Sequence, residues 1–318
     1  MALIEIENLK KYFNVAKGTL HAVDDISISI DAGKTLGVVG ESGCGKSTLG
    51  KTIMRLEEPT SGKIIYDGVD VTALPMKEFK PYRRQIQMIF QDPFASLDPR
   101  MSVSQLIAEP IRSLTDIRNS SEIEKRVYDL MDLVGLARRL ANVYPHELDG
   151  GRRQCIGIAR ALSSEPRMIV CDEPVSALDV SIQAQILNLL QDLQKERNLT
   201  YIFITHDLSV VKHISDQIVV MYLGQIVEKS GTRDLFANTL HPYTQALLSA
   251  IPIPSLQHEK KRIVLRGELS SPINPKPGCR FAPRCIYATD KCRAESPELR
   301  EYSDGHYVAC HYAGDAIK

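Results

Sequence analysis

The chain has 318 residues, enough for one large or two ordinary domains with a sizeable core. Its 39 basic and 39 acidic residues cancel, which argues against the electrostatic footprint of a nucleic-acid binder. No apolar run approaches the ~18 residues of a membrane span, and the segment from Met1 to Glu7 alternates like a strand without a basic leader, so a soluble, cytosolic chain is expected.

Ile26, Ile28 and Ile30 alternate with Ser27 and Ser29, the pattern of a half-buried strand. A second apolar run, Leu36 to Val39, leads into Gly40-Glu41-Ser42-Gly43-Cys44-Gly45-Lys46-Ser47-Thr48, which satisfies the phosphate-loop pattern G-x-x-x-x-G-K-[ST]. Glycines let backbone N–H groups curl round a polyphosphate, and the helix expected from Leu49 to Leu56 adds the partial positive charge of its N-terminus. Lys46 has the reach for the β- and γ-phosphates, and the Ser47 hydroxyl suits Mg2+. Strand, loop and helix in that order make the nucleotide reading far more specific than an idle glycine turn.

Gly62 and Gly68 mark turns before a further apolar run, Ile86 to Phe90, which ends at Gln91. From about residue 100 to about 165 the periodicity is helical, as from Glu122 to Leu136, where Val127, Leu130, Met131 and Val134 share a face. A buried strand, Met168 to Cys171, ends in Asp172 and Glu173. In isolation such a pair is as often solvated as functional. After a phosphate loop, Asp172 suits the hydration shell of Mg2+ and Glu173 faces the position of an attacking water. Ile182, Ile186, Leu189, Leu190 and Leu193 form the stripe of an amphipathic helix. Tyr201 to Thr205 is another buried strand, followed by His206, and Gln217 to Val227 is a hairpin turning at Gly224. Past about residue 232 the sheet pattern stops, and from Pro252 the chain is proline-rich and irregular, the mark of a small appended module. Strands alternating with helices imply an α/β core with a mostly parallel sheet and an inserted helical block. The strand ends carrying Gln91, Asp172, Glu173 and His206 then belong on one sheet edge, where such folds place ligands.

In order and spacing, the phosphate loop, Gln91, the segment Glu147-Leu148-Asp149-Gly150-Gly151-Arg152-Arg153-Gln154, Asp172-Glu173, Ser176-Ala177-Leu178-Asp179 and His206 resemble the ABC-type ATPases over about residues 3–235. Gln91-Asp92-Pro93-Phe94-Ala95-Ser96-Leu97-Asp98-Pro99-Arg100, His241-Pro242-Tyr243-Thr244 and a cysteine-rich tail narrow that resemblance. They are similar to the ATP-binding subunits of dipeptide and oligopeptide importers, in particular the second of the two such subunits. The resemblance implies a P-loop ABC ATPase core of residues 1–91 and 166–235, a helical signature subdomain of residues 92–165 and a C-terminal extension of residues 236–318. It also implies roles. Phe13 would stack on adenine, with Tyr12 as the alternative, and Lys46 with the loop amides would hold the phosphates. Ser47, Gln91 and Asp172 would serve Mg2+, Glu173 would be the general base, and His206 would contact the γ-phosphate. Leu148 to Gln154, with Asp149, Gly150 and Gly151 at their centre, would close over ATP held by a second ATPase subunit. The segment after Gln91 would dock a helix of one of two membrane permease subunits, and an external solute-binding protein would deliver the cargo. The chain would then lie at the cytoplasmic face of the membrane. Dipeptide, oligopeptide, nickel and oligosaccharide all stay open as the solute. A soluble ABC ATPase acting on nucleic acid or ribosomes is the alternative, disfavoured by a single core and balanced charge.

One departure matters. The family signature is Leu-Ser-Gly-Gly-Gln, whereas here Asp149 replaces the serine and Arg152 the glutamine. A carboxylate facing a γ-phosphate is repulsive, and Arg152 offsets part of that. The tail carries four of the seven cysteines, Cys279, Cys285, Cys292 and Cys310. In a reducing compartment such clustering points to metal rather than disulfide. The close pair typical of structural zinc is missing, and four thiolates gathered from a loop suit an iron–sulfur cluster. The resemblance implies a [4Fe–4S] cluster, with zinc as the runner-up.

Overall fold

The computed structural model describes residues 2–251, 263–265, 267 and 271–314. The start of the proline-rich stretch at Pro252 lies outside the described residues. In chain order the strands are β1 (Ala2–Val15), β2 (Gly18–Asp31), β3 (Thr35–Val39), β4 (Ser61–Tyr66), β5 (Val69–Asp70), β6 (Ile86–Ile89), β7 (Met168–Asp172), β8 (Thr200–Thr205), β9 (Gln217–Tyr222), β10 (Gln225–Gly231), β11 (Arg300–Ser303) and β12 (His306–Val308). The α-helices are α1 (Lys46–Ile53), α2 (Met76–Gln85), α3 (Pro93–Ser96), α4 (Val103–Leu114), α5 (Ser120–Leu133), α6 (Gly150–Leu162), α7 (Val180–Arg197), α8 (Leu208–Ile214), α9 (Thr232–Ala237), α10 (Pro242–Ser249) and α11 (Asp290–Ala294). They fall into two compact units, one of Met1–Leu3, Ile30–Lys34 and Tyr66–Ile204, the other of Ile4–Ser29, Thr35–Ile65 and Thr205–Lys318.

In the first unit β6, β7 and β8 run parallel, with Ile89 opposite Cys171 and Asp172 opposite Ile204. β7 reads as a continuous apolar run because both its faces are covered, and Met168, Ile169, Val170 and Cys171 are all fully buried. Each large apolar side chain so buried contributes roughly 1.5–3 kcal/mol. Helix α4 packs against both α5 and α6. In α5 the stripe Ile123, Val127, Leu130 and Met131 is buried, and the helix stops at Leu133 because Gly135 adopts a left-handed φ of 73°. Val134, expected on the stripe, is buried like the rest of it but as the C-cap residue. Helix α7 starts at an Asp179 cap whose carboxylate accepts from the Ile182 N–H at 3.0 Å, and it buries Ile186, Leu190 and Leu193.

In the second unit β3 pairs with β9 in parallel, and β9 forms a hairpin with β10. Leu223 and Gly224 turn it with φ of 44° and 83°, two left-handed residues that match the twist of the flanking strands. A separate sheet has the order β2-β1-β4. The sheet does not stop near residue 232. β12 pairs with β10, placing Val308 opposite Glu228, and β11 pairs with β12. These two tail strands escape the sequence pattern because β11 is exposed along its whole length and β12, although its burial alternates, is only three residues long. Their anchor is polar. The fully buried Glu228 carboxylate accepts from the Leu240 N–H at 2.7 Å and the His241 N–H at 3.1 Å, and lies 2.9 Å from His306 Nε2. Beside it Tyr222, Tyr243 and Phe281 form a buried aromatic cluster, with ring centroids 4.8, 5.3 and 5.5 Å apart. Among the described residues no helix is long and apolar enough to cross a membrane.

Candidate nucleotide site and cysteine cluster

Strand β3, buried along its whole length, delivers the chain into the loop Gly40 to Thr48, and α1 begins at once behind it. Gly45 makes the junction. Its φ is 105°, and a Cβ there would come within 2.0 Å of the Ala22 carbonyl oxygen. Lys46 is only 4% exposed, and its Nζ donates to the loop's own carbonyls, Gly40 at 2.8 Å and Glu41 at 3.0 Å. The ammonium therefore sits inside the curl that the motif reserves for phosphate. Ser42 and Gly43 form the exposed crest, while Ser47 and Thr48 are half-buried on the first turn of α1. Burial pushes the Cys44 thiol up despite the nearby Lys46, so it is a neutral packing group.

Glu41 is held at three atoms. Its N–H donates to the Tyr243 hydroxyl at 2.8 Å, and its carboxylate takes the Arg284 guanidinium at 2.7 and 3.1 Å. In the same unit, Tyr12 stacks on His21 with centroids 3.9 Å apart. Its hydroxyl donates to Asp24, and burial together with that bond raises its pKa. Burial works against the Asp24 carboxylate, but the Tyr12 hydroxyl and Arg280 outweigh it and hold its pKa below the usual range. Phe13 is half-buried, with the Lys11 ammonium 4.6 Å above its ring.

In the first unit, Asp172 ends β7 at 3% exposure and Glu173 follows in the left-handed region, at φ 45°. A non-glycine residue there is strained by about 1–3 kcal/mol, which the fold tolerates where the direction of a side chain matters. The Glu173 N–H donates to the Ile204 carbonyl at 2.9 Å. Because Ile89 is level with Cys171, Gln91 emerges level with Glu173, and its Nε2 donates to Glu173 Oε2 at 3.1 Å. In the second unit, His206 follows the last residue of β8 and is exposed.

The altered signature has a local physical reason. Asp149 is the N-cap of α6, its Oδ1 accepting from the Arg152 N–H at 2.8 Å, and Arg152 Nε lies 3.4 Å from the other oxygen. A serine at this position caps in the same way, so the carboxylate keeps the helix start and brings its own counter-charge. Gly151 has no such substitute, since a Cβ there would come within 2.9 Å of Ile182.

The four tail cysteines line one small cavity together with His241, Pro242, Phe281, Tyr287 and Pro297. The Cys279 N–H donates to the Cys292 carbonyl at 2.7 Å, and all seven cysteines are free thiols. Burial raises the thiol pKa values of Cys279, to about 11, and of Cys285 and Cys310. Among the described residues no three His, Cys, Asp or Glu side chains converge as ligands of one ion. The cavity lining nevertheless brings together four soft thiols and the imidazoles of His241 and His311, with no carboxylate.

Asp24, Tyr243, Arg280 and Arg284 reach the loop and its aromatic neighbours without any motif assigning them that position. The resemblance singles out Tyr243 only as part of a peptide-importer segment. The two arginines sit between cysteines with no periodicity of their own.

A phosphate loop entered from a buried strand with a parallel neighbour, and followed at once by a helix, defines a P-loop nucleotide-binding protein. Residues 23–176 match the family model described as ABC transporter, and residues 227–292 match that described as oligopeptide/dipeptide transporter, C-terminal region. The oligopeptide transport ATP-binding protein AppF of Bacillus subtilis is 50% identical over 97% of this chain and 97% of its own length. The oligopeptide transport ATP-binding protein OppF of Salmonella typhimurium is 51% identical over 97% of this chain and 95% of its own. Among solved structures, the dimeric post-hydrolysis state of the ATP-binding cassette MJ0796 bound to ADP and Pi matches with a TM-score of 0.67 at 28% identity, covering 72% of this chain and 99% of that one. The chain belongs to the ABC transporter family, as one of its ATP-binding, ATP-hydrolysing subunits.

Proposed function

We propose that this chain energises a membrane importer of short peptides by hydrolysing ATP against a second ATPase subunit. The observation that carries the reading is the joining of the two family matches in one chain, aligned almost end to end with transport ATP-binding proteins. In this reading residues 1–91 and 166–235 are the ATPase core, 92–165 the signature subdomain and 236–318 the importer-type extension. Phe13 receives the adenine ring, with Tyr12 behind it. The loop amides of Gly40, Ser42, Gly43, Cys44 and Gly45, with Thr48, Ser47 and Lys46, hold the triphosphate, while Glu41 shapes the loop from its place on the Tyr243 hydroxyl. When the nucleotide enters, Lys46 exchanges its loop carbonyls for phosphate oxygens. Ser47, Gln91 and Asp172 would hold Mg2+, which supplies charge neutralisation along the β- and γ-phosphates.

Glu173 takes the proton of the attacking water, and the amide of Gln91 keeps its carboxylate turned to that task. His206 contacts the γ-phosphate. Asp149, Gly150 and Gly151 close over ATP bound by the partner ATPase, which the dimeric state of the solved relative supports. Two permease subunits receive the motion through the segment after Gln91, an external solute-binding protein supplies the peptide, and the chain works at the cytoplasmic membrane face. Cys279, Cys285, Cys292 and Cys310 hold a [4Fe–4S] cluster, or zinc as the runner-up, as a staple for a tail with little apolar core.

The test is the reconstituted importer with Glu173→Gln. ATP binding should persist while turnover falls about 10²–10⁴-fold. Unchanged turnover removes Glu173 from the role, and ATP consumption that no peptide stimulates removes peptides as the cargo.

A further inference from the structure

Two arginines rise from the short stretch between Cys279 and Cys285, and both reach residues that border the nucleotide loop or its aromatic neighbours. The Arg284 side chain is 9% exposed and grips the Glu41 carboxylate through two nitrogens, at 2.7 and 3.1 Å. On the other side of the same residue, the fully buried Tyr243 accepts the Glu41 N–H at 2.8 Å. The Glu41 carbonyl is in turn one of the two on which Lys46 rests. Arg280 donates to the Leu223 carbonyl, next to the Gly224 that bonds the Cys44 carbonyl at 2.8 Å, and to Asp24, which accepts from Tyr12. A bidentate pair fixes direction as well as distance, and a planar guanidinium does this where an ammonium cannot. Little of this pair is open to water, so screening by salt is weak.

We infer that Arg284 is a positioning residue for ATP, holding the second residue of the phosphate loop in its binding shape and neutralising a carboxylate that would otherwise face the triphosphate. Arg280 does the same for Tyr12 by way of Asp24. This rests on the ATP-binding reading above. It adds that the C-terminal tail, through its arginines, sets the affinity of the nucleotide site. Its effect belongs in ATP affinity rather than in the chemical step, because the two guanidinium groups act on Glu41 and, through Asp24, on Tyr12, residues read here as placed against the nucleotide and not against the attacking water.

The experiment measures the dissociation constant for Mg-ATP on the full-length chain by titration calorimetry, and KM and kcat in the reconstituted importer. Arg284→Gln should weaken ATP binding about tenfold, a change of about 1.4 kcal/mol, with kcat at saturating ATP changed less than about two-fold. Arg284→Lys should recover part of the loss, and Glu41→Gln in the Arg284→Gln background should cause no further loss and return part of the affinity, because it removes the carboxylate left unpaired. Unchanged affinity, losses that multiply in the double variant, or a fall in kcat with KM constant would each overturn the inference. Should Arg284→Gln fail to fold, Tyr243→Phe removes only the hydroxyl that accepts the Glu41 N–H, and unaltered ATP affinity there overturns it equally. A wild-type chain that binds no ATP refutes the parent reading instead.

Discussion

His241 predicts a pH dependence that can be isolated from the rest of the protein. It is buried at 1% exposure, its Nδ1 accepts from the Tyr243 N–H at 3.1 Å, and it thereby caps α10 in the neutral state. Burial pulls its pKa from 6.5 down to about 4, against the opposing pull of Glu228. Between those values the unfolded chain binds the proton and the folded chain does not, so stability rises with pH through this window. The contribution is complete above pH 6.5 and is lost as pH falls towards 4. With one pKa unit worth about 1.4 kcal/mol, it reaches about 3 kcal/mol in full, and about 2 kcal/mol is already gone at about pH 5. His241→Asn keeps an oxygen that can cap the helix but cannot titrate. Urea midpoints of both proteins at about pH 7.5 and about pH 5 therefore test the point, because every other titrating group is common to the two. The wild type should lose about 2 kcal/mol more than the variant on acidification. Parallel losses would refute the assignment of a neutral, buried cap.

Asp149→Ala should lower stability by about 1 kcal/mol in urea unfolding, and Asp149→Ser should stay within a few tenths, since both oxygens cap α6 and the methyl does not. An alanine variant as stable as wild type would show that Asp149 is retained for some purpose other than the helix start. Anaerobically purified protein should be brown and carry about four irons per chain, with Cys292→Ser losing both colour and iron. Colourless protein with stoichiometric zinc makes zinc the occupant of the cysteine cluster.

Several features were legible because their signals are local. Leu36 to Thr48 places strand, glycine loop and helix within one contiguous pattern, and the structure forms β3, the loop and α1 from it. β7 and β8 were equally plain, since strands covered on both faces read as unbroken apolar runs. The end of α5 was misplaced by the width of a turn because the apolar stripe continues past the glycine that stops the helix. What could not be read are pairings between distant segments. The tail hairpin β11–β12 has too little alternation to betray it, and its anchor is a buried glutamate that a sequence pattern scores as surface. Arg284 and Glu41 are separated by 243 positions, and nothing in either neighbourhood marks the other as its partner. Asp149 is intermediate: as a departure from the signature it suggested electrostatic repulsion, while its position before two glycines and a helix points to the cap it forms.

The pairing of β12 along β10 also has a consequence for how the molecule behaves outside its assembly. A sheet that ended at β10 would present a row of unpaired N–H and C=O groups beside the apolar Ile226 and Val227, the kind of template on which chains join edge to edge. The tail pairs with the middle of that row, at Glu228 and Lys229 and through the Ala309 N–H on the Val227 carbonyl, and then ends the sheet with β11, a strand of four exposed residues that includes an arginine and a glutamate. In this way the same C-terminal chain that carries the cysteines puts a short, charged strand at the sheet edge in place of β10, an edge that disfavours pairing between copies.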